Sequence, residues 1–81
     1  IVDVRTQAEY DSGHVPGAIV IPNETIGSSR PAQLPDLNAE ILVYCRSGAR
    51  SRNAAGKLAA LGYTAIYDFG GIMNWPYEVV K

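Results

Sequence analysis

A chain of 81 residues has room for one small core, because a fold of this size buries only about 60–65% of the surface its unfolded chain exposes; residues 1–81 are therefore read as a single domain. Its hydrophobic fraction of 47% against 19% charged residues is a globular balance and excludes a disordered chain. A formal net charge of −1 argues against nucleic acid or an anionic membrane as partner, and no apolar run approaches the about 18 residues of a membrane span.

Ile1–Val4 is a short, β-branched apolar run and reads as a buried strand. It starts with neither a methionine nor a leader, so the chain is read as trimmed. A signal peptide is then out of view, and the cytoplasm is the favoured compartment. Thr6, Gln7, Ala8 and Glu9 fit a capping box, with Thr6 as N-cap. The helix it opens is expected to run about two turns through Tyr10 and to stop at Ser12–Gly13. His14–Val15–Pro16–Gly17 is turn chemistry, and Ala18–Ile21 is a second strand ended by Pro22–Asn23.

From 23 to 38, Gly27, Pro31 and Pro35 limit any helix to a turn or two. Ile41–Tyr44 is a third strand, apolar throughout, as a central parallel strand should be. Apolar residues at 54, 55, 58, 59 and 61 form a helical stripe over 51–61, with Gly62 as its C′ residue. Gly56 inside that helix costs roughly 1 kcal/mol against alanine and predicts close packing there. Thr64–Tyr67 is a fourth strand. Gly70–Gly71 is expected to open a short helical segment carrying Met73 and Trp75, ended by Pro76.

Strand–helix alternation with short connections implies an α/β fold, a small parallel sheet with helices on both faces. Ligands of such sheets bind beyond the carboxyl ends of the strands. The third strand ends there in Cys45–Arg46–Ser47–Gly48–Ala49–Arg50–Ser51. The loops after the first strand (Asp3, Arg5) and the fourth (Asp68, Gly70, Gly71) share that edge.

Cys45 is the only cysteine, which excludes an internal disulfide and a cysteine-based structural zinc site. With no HExxH motif and no carboxylate cluster, no metal is expected. A strand that turns through a short loop into a helix aims several N–H groups at one point, and Gly48 lets them converge. Arg46 and Arg50 flank the thiol. Such a setting lowers a cysteine pKa from about 8.5 to roughly 3.5–7.5, so Cys45 is read as a nucleophilic thiolate in an anion cradle and not as a packing cysteine ringed by apolar groups.

Arg46 and Arg50 are expected to hold an oxyanion through charge-assisted bonds. Asp3 either holds Arg50 or caps a backbone N–H, the alternative being local capping of the turn before the first helix, with Arg5 in support. His14 is read as a turn histidine bonding backbone, not as a base for Cys45. Met73, Trp75 and Tyr77 are read as core and lid packing.

These residues resemble the rhodanese family of sulfurtransferases along essentially the whole chain. The landmarks are Asp3–Val4–Arg5, Gly13–Ala18, the Cys45–Ser51 loop, Leu61–Gly62–Tyr63 and Gly70–Gly71–Ile72 with Trp75. The resemblance implies that Cys45 takes the outer sulfur of a small anionic donor such as thiosulfate. It would carry that sulfur as a persulfide cradled by the N–H groups of Arg46, Ser47, Gly48, Ala49, Arg50 and Ser51. Cyanide, a small thiol or a thioredoxin-like protein would accept it, in ping-pong order and with no cofactor. Arg46 and Arg50 match positions that contact the donor's sulfonate. The family also implies one more strand and helix ahead of Asp3, which these residues do not include. Two other readings stay open. One is a non-catalytic or sulfur-relay binding module. The other is a phosphatase or arsenate reductase on the same fold, whose loop places five residues between Cys and Arg where this one places four.

Overall fold

The computed structural model describes the backbone of residues 1–81 and every side chain except that of Asn74. Short β-branched runs give a first strand, β1 (Val2–Asp3), and a second, β2 (Ile19–Val20). The apolar run before the cysteine gives β3 (Glu40–Cys45), and β4 spans Ala65–Gly71. Helix α1 (Gln7–Ser12) begins at the expected capping box: Thr6 Oγ1 accepts from the Glu9 N–H, and the Glu9 carboxylate accepts from the Thr6 N–H. Helix α2 covers Ala49–Ala60. Two 3-10 turns, Asn23–Thr25 and Ile72–Asn74, complete the chain. No helix among the described residues is long and apolar enough to cross a membrane.

The strands form one parallel sheet in the order β2-β1-β3-β4. Strand alternation sorts its side chains into two layers. Val2, Val4, Ile41, Val43 and Cys45 lie with Ala54 and Leu58 of α2 on one face. Tyr44 lies on the other with Val15 and Ala18, where Tyr10 of α1 packs against it. The helices therefore cover opposite faces, as the alternation of elements implied.

Three local expectations are corrected. Helix α2 starts at Ala49, two residues before Ser51, because Gly48 takes the left-handed conformation (φ +110°) and turns the chain at once. Strand β4 runs through Gly70 and Gly71, and the expected short helical segment follows only after them, as the 3-10 turn Ile72–Asn74 with Trp75 at its end. Pairing with β3 continues past Tyr67, with Val43 opposite Asp68 and Cys45 opposite Gly71 after a register shift. Gly56 is exposed, and a Cβ there would meet nothing within 4 Å, so close packing does not explain it.

Candidate active site

Cys45 ends β3 with its side chain in the core layer beneath α2, only 1% exposed. The sequence reading of a cysteine outside apolar surroundings is thus half corrected: its neighbours on the strand face are apolar, and its polar contacts come from the loop above. The Gly48 N–H donates to Sγ at 2.9 Å. Burial pushes the thiol up, but hydrogen bonds from the Ser51, Gly48 and Ser47 N–H groups outweigh it, so the Cys45 pKa lies below its ordinary value. The direction agrees with expectation, and so does the cause so far as it lies in the loop N–H groups; Arg50 adds a charge interaction with the thiol.

Two glycines shape this loop. Gly48 supplies the left-handed turn. Gly71, opposite Cys45 on β4, lies against the loop so closely that a Cβ there would run into the Arg46 carbonyl oxygen and come within 2.9 Å of the Ser47 Cα. The Met73 N–H also donates to that carbonyl, at 3.4 Å. The strand and the 3-10 turn after it therefore close the loop from behind.

Arg50, on the first turn of α2, is engaged by a carboxylate. Its guanidinium donates twice to the Glu9 carboxylate of α1, at 2.7 and 2.9 Å. The Arg50 bonds pull the Glu9 carboxyl down to about 2 against partial burial, with Thr6 assisting. Arg46 is exposed, and no side-chain bond engages it among the described residues. Ser47 and Ala49 are exposed on the loop, whereas Ser51 is fully buried beneath it.

Asp3 does not reach Arg50. It lies on the sheet face opposite the Cys45 sulfur, fully buried, and accepts from the Arg5 guanidinium (2.7 Å to Oδ2), the Arg5 N–H (2.9 Å) and the Tyr44 hydroxyl (2.7 Å). Arg5 also donates to the Gly13 carbonyl at 2.7 Å. Burial, followed by the bond to Asp3, raises the Tyr44 phenol to about 12. This cluster ties β1, β3 and the turn after α1 together, which is a bracing role. His14 bonds the Tyr10 carbonyl through Nδ1 at 2.9 Å and stacks on the Tyr10 ring at 3.7 Å, as a turn histidine. Trp75 packs on the Tyr44 layer, but Met73 and Tyr77 are 68% and 71% exposed, so neither is core.

Two site residues were not singled out from sequence. Glu9 satisfied a capping box, and that local reading hid its pairing 41 positions away. Asp68 reads in the sequence only as a residue of the right edge. Its Oδ1 accepts from the Ser51 hydroxyl at 2.7 Å and from the Gly70 N–H at 2.9 Å, which puts it one hydroxyl away from the thiol.

A family model for the rhodanese-like domain matches residues 1–77. The chain is 35% identical over 80 residues to the thiosulfate sulfurtransferase PspE of Escherichia coli, covering 99% of this chain and 77% of that one. It is 38% identical over 76 residues to a sulfurtransferase of Allochromatium vinosum, covering 93% and 69%. A solved structure described as a rhodanese with anions from E. coli superposes with a TM-score of 0.87 at 37% identity, covering 99% of this chain and 94% of that one.

Proposed function

The chain belongs to the rhodanese-like domain family, and from that premise we propose that it moves sulfane sulfur from thiosulfate or a related donor to a thiophilic acceptor through a persulfide on Cys45. The observation that carries this reading is the Gly48 N–H aimed at the Cys45 sulfur at 2.9 Å, with the Ser47 and Ser51 N–H groups beside it adding to the lowering of the thiol. Donors so aimed stabilise a thiolate before the reaction and an anionic outer sulfur after it. PspE is named for thiosulfate, and the E. coli structure is described with anions; both support an anionic donor here.

In the first half-reaction the Cys45 thiolate attacks the outer sulfur of thiosulfate. A new S–S bond forms at Sγ, the bond to the sulfonate sulfur breaks, and sulfite leaves with the electron pair. In the second, cyanide or an acceptor thiolate attacks the outer sulfur. Thiocyanate or the acceptor's persulfide departs, and the Cys45 thiolate is restored. Exposed Arg46 is the charge open to the donor's sulfonate, and Arg50, held by Glu9, braces the loop.

Intact-protein mass spectrometry tests the reading. Thiosulfate should add about 32 Da, one sulfur atom on one thiol, cyanide should remove it, and Cys45→Ser should show neither the gain nor thiocyanate formation. No adduct with any sulfane donor, together with hydrolysis of aryl phosphates, would establish the phosphatase chemistry in its place.

A further inference from the structure

Resting on Cys45 as the sulfur carrier, we propose that Asp68 is a positioning residue: by taking the one proton of the Ser51 hydroxyl, it decides which side of that hydroxyl faces the Cys45 sulfur. Ser51 Oγ lies 2.7 Å from Asp68 Oδ1, 3.0 Å from the Gly48 carbonyl and 3.7 Å from Cys45 Sγ. A serine hydroxyl has a single proton to give. The carboxylate is the closest and the only charged acceptor, and a charge-assisted bond outcompetes a neutral one. The proton therefore goes to Asp68, and an oxygen lone pair faces Sγ, where it accepts the thiol S–H. Ser51 is fully buried, so no bulk solvent reaches its hydroxyl, although Asp68 itself is exposed.

This arrangement suits the neutral thiol. When the thiol ionises, either the Ser51 lone pair faces a negative sulfur or the hydroxyl turns to donate to it. In the second case Asp68 Oδ1 is left with the Gly70 N–H and solvent, and the hydroxyl also turns away from the Gly48 and Gly70 carbonyls. Both outcomes cost free energy, so Asp68 works against the loop's N–H groups and limits how far they acidify Cys45. That limit has a use. The nucleophilicity of a thiolate falls with its pKa, with a Brønsted slope of about 0.4–0.5, so an over-acidified sulfur attacks a donor more slowly.

The other charged groups about the site are Arg50 on α2, paired with Glu9 of α1, Arg46 in the loop, Glu24 on the first 3-10 turn, and the Asp3–Arg5 pair on β1. Of these and Asp68, only Asp68 shares a bond with the Ser51 hydroxyl.

The test is the pH dependence of iodoacetamide alkylation of Cys45 in the whole protein, with wild type compared to Asp68→Ala, Asp68→Asn, Ser51→Ala and the Ser51→Ala/Asp68→Ala double variant. Asp68→Ala should lower the alkylation midpoint by about half a unit or more, about threefold more thiolate on the acid side. Asp68→Asn keeps an oxygen to receive the Ser51 proton and should show less than half of that shift. In the Ser51→Ala background, removing Asp68 should leave the midpoint where it is. An unchanged midpoint in Asp68→Ala overturns the proposal. So does an equal drop in all three Asp68 variants, because that assigns the effect to charge acting through space. Alkylation needs no sulfur donor, so a missing thiosulfate adduct would defeat the persulfide reading alone and leave the Asp68 result independent of it.

Discussion

Arg46 and Arg50 look equivalent in the sequence, two cations flanking one thiol, and the structure gives them different work. Arg46 is exposed on the loop, so in the proposed reaction its contact with an anionic donor is a ground-state one. Replacing it by alanine should raise KM for thiosulfate and lower kcat/KM about tenfold, the lower end of what a charged hydrogen bond contributes. A neutral sulfur donor should be nearly indifferent. Arg50→Ala removes a brace between α1 and the loop, so its losses should be similar for charged and uncharged donors. Steady-state kinetics with one donor of each kind separates the two roles. The sequence could not: Glu9 stands 41 residues before Arg50, and nothing local marks the pair.

At the scale of elements, β3, the Cys45–Ser51 loop and α2 were legible because they depend on near neighbours: an apolar run, a glycine turn and a helical stripe. What escaped depends on β4. Asp68 and the glycines after it read as strand breakers, yet β3 offers them partners as far as Gly71, and pairing overrides local preference. Gly56 shows the opposite failure. A glycine inside a helix is equally consistent with a crowded face and an empty one, and only the packing decides. Since a Cβ at 56 would meet nothing within 4 Å, Gly56→Ala should stabilise the protein by about 0.4–1 kcal/mol, with activity unchanged. A fall in the urea midpoint of this variant would show that the helix surface there is in fact occupied.

Over the whole molecule, two helices on opposite faces of a four-stranded sheet have few direct ties, and the Glu9–Arg50 pair clips them together across the edge of the sheet. Glu9 carries a pKa of about 2 in the fold against an ordinary 4.5. A carboxyl depressed in this way contributes stability fully above about pH 4.5 and loses it as pH falls toward 2, while Arg50 stays charged throughout. Thermal melts should therefore show wild type falling toward Glu9→Gln over that window and the two curves parallel above it. Glutamine keeps the capping box, so the difference reports the ion pair and not the cap. A constant gap at every pH would assign it to packing. The layered α/β plan was readable from the order of strands and helices alone. This clip was not, because it joins elements that the sheet keeps apart.

The approach of Gly71 to the Arg46 carbonyl bears on how the protein is made. A ribosome delivers Cys45 before the strand that backs its loop, and β1 waits for β3 before it has both neighbours. Until residue 71 arrives, the loop lacks its rear wall, and nothing on β4 holds in place the N–H groups that lower the thiol. Completion of the sheet is therefore what fixes the loop around the thiol.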